Sequence, residues 1–184
     1  MPRQPRKISG TGIYHVMLRG VNRQRIFKES ADYERFLLHL SQVKRSSDFK
    51  LFAYCLMSNH VHLLLRENEV PLSHIFKRLG ARYAFWFNRK YDRCGHLFQD
   101  RFRSEPVESD AYLITVLAYI YQNPVKAGLC ANPKSYRWSS RKFLGTDNMT
   151  DEAELFEIIS LERILIHERS DRKGEGQAPF ITIK

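Results

Sequence analysis

Runs and repeats of apolar residues predict seven structured elements along the chain. Continuous or alternating apolar runs predict strands at 13–18, 51–57, 60–67 and 98–107. Apolar residues that recur every three or four positions predict helices at 32–46, 71–90 and 109–124. The predicted order is therefore strand, helix, two strands, helix, strand, helix.

Polar residues and a proline mark the ends of these helices. Ser30 precedes the first helix, Ser109 or Asp110 begins the third, and Pro124 is expected to close it. Helices that alternate with a hairpin-containing antiparallel sheet predict an α+β domain of two layers, with the helices packed on one face of the sheet.

The C-terminal part differs in composition. Residues 151–168 are acidic with apolar residues at helical spacing, which predicts a further helix that Asp151 can cap, and residues 169–178 read as a linker. We therefore divide the chain into a domain at 1–145 and an acidic helix and tail of unknown role at 146–184.

Charge separates the same two parts. Residues 1–145 contain 25 Lys and Arg against 11 Asp and Glu, a net charge of +14, whereas residues 146–184 contain 5 against 9, a net charge of −4. The basic charge therefore belongs to the larger part, and a polyanion such as nucleic acid is the expected partner. The alternative is a basic surface that serves only solubility.

The rest of the composition narrows the class of protein. No apolar stretch approaches the length of about 18 residues that a membrane span needs, and the N-terminus lacks the apolar core of a signal peptide, so we expect a cytoplasmic protein. Three cysteines, odd in number and far apart, argue against a disulfide framework or a cysteine zinc site.

Two histidines separated by one valine stand at the start of the third predicted strand. Side chains alternate along a strand, so His60 and His62 point to the same face, next to a plausible Ser58-Asn59 turn. The pair is either a two-nitrogen metal site or two ordinary strand histidines. The other five histidines lack a second ligand at metal-binding spacing and are predicted to be structural or solvent-facing: His15, His39, His74, His96 and His167.

Tyr119 and Asn123 lie four residues apart on the third helix and share a face. With the histidine pair, they give the chain a resemblance to the REP-associated tyrosine transposases, within the HUH single-tyrosine transposases and relaxases. The matching stretches are Tyr14-His15-Val16 with Arg19-Gly20, His60-Val61-His62, Phe98-Gln99, Ala118 to Gly128, and Trp138-Ser139-Ser140.

This resemblance implies a ferredoxin-like or RRM-like fold and a single-stranded DNA transposase or endonuclease. Tyr119 is then the catalytic nucleophile, bonding the 5′ phosphate beside palindromic repeats folded as hairpins. His60, His62 and Asn123 are the implied metal ligands, with Mg²⁺ or Mn²⁺ as the implied cofactor and zinc as the competing assignment. Helical rotation places Tyr121 opposite the face of Tyr119 and Asn123, so Tyr121 is expected in the core.

Seven basic residues are candidates for DNA contact through phosphates: Arg3, Arg6, Lys7, Arg19, Arg23, Arg101 and Arg103. The expected partner is hairpin-containing single-stranded DNA, with no membrane, bound by a monomer or homodimer. Two alternatives remain open, a non-catalytic RRM-like nucleic-acid-binding protein and a metal-dependent hydrolase that uses water.

Overall fold

A computed structural model describes residues 6–144, 146 and 149–159. Within them, four strands are present: β1 (Ile13–Arg19), β2 (Lys50–Met57), β3 (His60–Arg66) and β4 (Arg103–Pro106). The helices are α1 (Ser30–Ser47), α2 (Leu72–Lys90), α3 (Asp110–Lys126) and α4 (Glu152–Ile158). The predicted element order is confirmed. None of the helices in this part of the chain combines the length and apolar character of a membrane span.

The strands form one antiparallel sheet in the order β2-β3-β1-β4. β2 and β3 are a hairpin, whereas β1, the first strand in sequence, lies between β3 and β4. The α+β class with an antiparallel sheet is thereby confirmed.

Helices cover both faces of this sheet, which corrects the expectation that they share one face. Tyr14, Val16 and Leu18 of β1 pack with α1 and α2, while Ile13 and the alternate residues of β2 and β3 pack with α3 and α4. The physical reason is visible in β3, where Leu63, Leu64 and Leu65 are all fully buried. A strand that is apolar on both sides needs a covering layer on each side.

The α1 and α2 layer follows the sequence pattern closely. The buried residues of α2 are the predicted stripe: Leu72, Ile75, Phe76, Leu79, Tyr83 and Phe87. The N-cap of α1 is Glu29 rather than Ser30, in a capping box with Asp32. Asp32 is fully buried and also contacts Lys90, the last residue of α2, and Tyr91, its C-cap. One carboxylate therefore joins the start of α1 to the end of α2.

The predicted strand at 98–107 is shorter than expected. Phe98 bridges Gly20, just after β1, and Gln99 donates its N–H to the Arg19 carbonyl. The pairing is then interrupted over residues 100–102 and resumes at Arg103 opposite Met17. The interruption places Phe102 in the core, with its ring centroid 4.6 Å from that of Phe76. Burial of this ring accounts for the break in the strand.

Residues beyond α3 cover the outer edge of β2. Leu56 donates its N–H to the carbonyl of Trp138, and Tyr54 donates its N–H to the Ser140 hydroxyl. The Asp151 carboxylate accepts the N–H of Leu51 at 2.7 Å instead of capping α4. Residues on both sides of the predicted boundary at 145/146 thus pack on the same sheet. The rest of the predicted 151–168 helix and the linker lie outside the described residues.

Candidate active site

The hairpin between β2 and β3 fixes the position of the two histidines. Its turn, Ser58-Asn59, is held from outside because Ile26 and Phe27 both donate to the Ser58 carbonyl and Gly20 donates to the Asn59 carbonyl. A Cβ at Gly20 would lie 2.3 Å from the carbonyl oxygen of Gln24, so only glycine permits this close approach. The start of β3 is therefore anchored by the loop that follows β1.

His60 and His62 share the sheet face that α3 covers, as predicted. His62 is fully buried and His60 is 8% exposed, and their ring centroids are 4.9 Å apart. In each ring, Nδ1 has a hydrogen-bond partner: Asn59 Oδ1 at 2.6 Å for His60 and His15 Nε2 at 2.9 Å for His62. Neither Nε2 has a hydrogen-bond partner among the described residues, although both are buried.

These contacts decide which nitrogen of His60 carries the lone pair. An amide oxygen only accepts, so Nδ1 of His60 is the protonated nitrogen and Nε2 keeps its lone pair. Burial and the neighbouring Arg19 lower the pKa of His60 to about 4. Burial lowers the pKa of His62 well below its usual value, and His15 and His60 lower it further. Both imidazoles are thus neutral at pH 7, the form that binds metals.

Two buried, unpartnered imidazole nitrogens fit a divalent metal ion. No cluster of three His, Cys, Asp or Glu side chains capable of holding a metal occurs within 6–144, 146 and 149–159. A third protein ligand would have to be of another type, such as an amide oxygen. Asn123, the residue predicted for that role, is of this type.

α3 brings Tyr119 to the histidines. The Tyr119 ring lies 5.6 Å from the His62 ring and 5.9 Å from the His15 ring between centroids, edge-on to both. Tyr121 is fully buried in the core between the sheet and α3, so the predicted helix register is the one observed. Ser109 caps α3 by accepting the N–H of Tyr112, which helps to set that register.

The side chain of Asn123 contacts both the backbone and the side chain of Tyr119. Its Nδ2 donates to the Tyr119 carbonyl at 2.9 Å. Burial raises the pKa of Tyr119, and a side-chain hydrogen bond with Asn123 opposes that rise. Pro124 does not close α3, which continues to Lys126, so Asn123 keeps helical geometry despite the proline after it.

The predicted DNA-binding residues fall into two groups. Arg19 lies opposite His60 in the sheet. Burial is the main cause that lowers the pKa of Arg19, and the nearby charges of Arg23 and Arg103 lower it further. In the second group, burial and then the neighbouring Arg101 lower the pKa of Arg6, whose guanidinium lies 3.8 Å from the centre of the Phe102 ring. Lys7 belongs to neither group by any observed contact, and Arg3 lies outside the described residues.

His15, predicted to be structural or solvent-facing, lies at this site, a position that the sequence did not indicate. It is fully buried rather than solvent-facing, its pKa is lowered to about 3 by burial, and it contacts both His62 and Tyr119. In the sheet, Met17 is opposite His62. His15 lies two residues before Met17, so it is the diagonal neighbour of His62 on the same face. The sequence feature that could have indicated this position is a histidine placed between the apolar residues Tyr14 and Val16 of a predicted strand.

Comparison with known proteins identifies the family of the chain. Residues 10–123 match the family described as "Transposase IS200 like". A protein of Haemophilus influenzae, "Putative REP-associated tyrosine transposase", is 32% identical over 104 residues, which are 50% of this chain and 58% of that protein. The chain thus spans little more than half the length of this relative.

A solved structure shares the fold. The REP-associated tyrosine transposase bound to a REP hairpin superposes with a TM-score of 0.65 at 19% identity, over 83% of this chain and 90% of that one. The family match at 10–123 includes the histidine pair and Tyr119, and it defines a chain of the transposase class. This chain belongs to the IS200-like transposase family, and the predicted resemblance to REP-associated tyrosine transposases is confirmed.

Proposed function

We propose that this chain cleaves and rejoins single-stranded DNA beside hairpins through a covalent bond to Tyr119. The observation that carries the proposal is the position of Tyr119, edge-on to His62 at 5.6 Å, next to two buried imidazole nitrogens without partners. The hairpin substrate is inferred from the fold shared with a protein whose structure contains a REP hairpin.

In the proposed step, Tyr119 Oη forms a bond to phosphorus as the bond from phosphorus to the 3′ oxygen breaks. The products are a 5′-phosphotyrosine and a free 3′ hydroxyl. The phenol loses its proton, and the departing oxygen gains one. The reverse reaction with another 3′ hydroxyl rejoins the strand, so no external energy source is needed.

The residues that would hold a metal ion are His60 and His62 through Nε2, and Asn123 through its amide oxygen. When bound, Mg²⁺ or Mn²⁺ supplies positive charge that neutralises the phosphate and polarises its oxygens. Imidazole nitrogen favours Mn²⁺ over Mg²⁺, whose preferred ligands are oxygens.

Other groups of the chain serve the phenol and the phosphate. Lys126 Nζ lies 5.8 Å from the centre of the Tyr119 ring, where its positive charge favours the phenolate that burial disfavours. Arg19, Arg23 and Arg103 form a cationic cluster at the end of the sheet near His60. Guanidinium groups there bind the DNA backbone and align it with Tyr119.

The test is a search for the covalent adduct. The protein is incubated with Mn²⁺ and a hairpin DNA labelled on the 3′ side of the cleavage site, denatured, and run on a gel; a labelled protein band is expected. Tyr119→Phe should abolish the band, and its matched control Tyr121→Phe should retain it, since Tyr121 is buried away from the histidines. Cleavage without a band would indicate a water-dependent hydrolase, and binding alone a non-catalytic nucleic-acid-binding protein.

A further inference from the structure

The layer of α1 and α2 carries an aromatic and basic surface on the sheet face opposite Tyr119. On α2, Arg82 and Arg89 each lie three or four residues from the adjacent pair Phe85 and Trp86, so the four residues lie on one side of the helix. With His39 and Gln42 of α1 and Lys90 at the end of α2, they line an open groove of about 890 Å³. We name these seven residues the outer groove.

Of the two aromatic side chains in the outer groove, Phe85 is exposed and Trp86 packs only partly against the core. Phe85 is 71% exposed, whereas Tyr83 and Phe87 on either side of it are fully buried. Trp86 is half-buried, with the Arg35 guanidinium 5.4 Å from its ring centre. A flat apolar ring held open between cations is a surface on which another planar group can stack.

The two arginines of the outer groove keep positive charge that no described carboxylate neutralises. Arg82 contacts the neutral amide of Gln42, and no described carboxylate pairs with Arg82 or Arg89. Lys90, which also lines the groove, differs from them because Glu29 and Asp32 both bind it. Arg82 and Arg89 are seven residues apart, about 10 Å along the helix, and they flank Phe85.

We propose that the outer groove binds single-stranded DNA, with a base stacked on Phe85 and phosphates held by Arg82 and Arg89. The inference rests on the proposed function, which supplies single-stranded DNA as the partner. Phosphates match unpaired arginines and bases match an exposed ring, the combination typical of proteins that bind single strands without sequence preference. The groove would hold DNA away from the cleavage site, because the sheet separates it from Tyr119.

The experiment measures binding of a labelled oligothymidine to the full-length chain by fluorescence anisotropy, in a Tyr119→Phe background that cannot cleave. Phe85→Ala should weaken binding about tenfold, as loss of one stacked base does, while Phe85→Tyr should bind normally. Arg82→Ala and Arg89→Ala should each lower the salt dependence of binding by about one ion. Arg78→Ala is the matched control, since Arg78 is exposed on the same helix but does not line the groove.

Several results would overturn the proposal. Unchanged affinity in Phe85→Ala, or an equal loss in Arg78→Ala, would show that DNA binds through positive charge spread over the surface and not through the outer groove. Tighter binding of oligouridine than of oligothymidine would identify RNA as the occupant of the groove. A change in oligomeric state on Phe85→Ala would identify a second copy of the chain. If the chain never forms the Tyr119 adduct but the groove variants lose DNA affinity as predicted, the groove proposal stands and the cleavage proposal is wrong.

Discussion

Nε2 of His15 lies 2.9 Å from Nδ1 of His62, and this contact links the tautomers of two buried rings. If His62 donates, its Nε2 keeps the lone pair that a metal ion needs; if His15 donates, the Nε2 of His62 is protonated and cannot bind a metal. Both rings are neutral at pH 7 because burial lowers their pKa values. Metal binding therefore requires His15 to act as the acceptor.

Replacing His15 should weaken metal binding without removing a ligand. His15→Leu deletes the acceptor, so Mn²⁺ affinity should fall about tenfold or more, the usual effect of losing a partner of a metal-bound histidine. Titration followed by Mn²⁺ electron paramagnetic resonance gives the affinity directly. His15→Gln, which restores an acceptor oxygen, should recover part of the loss, and equal affinity in all three proteins would contradict the linkage.

Removal of either ring of the pair should separate cleavage from binding. His60→Ala or His62→Ala should abolish adduct formation, while hairpin affinity falls by no more than about threefold, because affinity comes mainly from phosphate contacts elsewhere. Gel-shift and adduct assays on the same DNA compare the two. Parallel loss of binding and cleavage would show that the histidines are structural rather than catalytic.

The cationic cluster near His60 should make DNA binding strongly dependent on salt. If Arg19, Arg23 and Arg103 each hold a phosphate, the logarithm of affinity should fall linearly with the logarithm of salt, and Arg103→Ala should reduce the slope by about one. Arg45→Ala, an exposed arginine of α1, is the control and should leave the slope unchanged. Binding that is insensitive to salt would exclude this cluster as the source of affinity.

Acid should destabilise the fold through the three buried histidines. His15 and His60 have pKa values lowered to about 3 and about 4, so on acidification the unfolded chain takes up protons before the folded one does. Stability is then greatest above the unfolded value of about 6.5 and falls towards pH 4, by about 1.4 kcal/mol per pH unit for each histidine. Urea unfolding across this window measures the slope, which should be shallower in His15→Leu.

Asp32 should matter more for stability than any exposed carboxylate. Its buried side chain accepts the backbone N–H groups of Lys28 and Glu29 and pairs with Lys90. Asp32→Asn breaks the pair, so the free energy of unfolding should fall by about 3 kcal/mol. Glu34→Gln, which removes an exposed pair with Arg137, should cost less than about 1 kcal/mol.

Local pattern predicted what depends on local spacing. The buried stripe of α2, the shared face of His60 and His62, and the opposite directions of Tyr119 and Tyr121 all follow from helical or strand periodicity. The catalytic and metal-binding roles of these residues stay predictions. His15 was not predicted because its contact with His62 requires β1 to pair with β3, a long-range choice that spacing does not encode.

Long-range packing also explains two points of the fold on which the prediction was wrong. The helices divide between two faces because β3 is apolar on both sides, and the strand at 98–107 is interrupted because Phe102 enters the core beside Phe76. Neither outcome can be read from the residues of one element alone.

The cover over the edge of β2 limits where the chain can be shortened or fused. Trp138, Ser140 and Asp151 occupy backbone groups of Leu56, Tyr54 and Leu51 that an edge strand would otherwise offer to another molecule. A protein ending at residue 145 would keep the first two contacts and lose the third. It would also present an uncovered, apolar strand end, a known route to aggregation through sheet extension. Expression of the shortened chain should therefore yield more insoluble protein than one that retains residue 159.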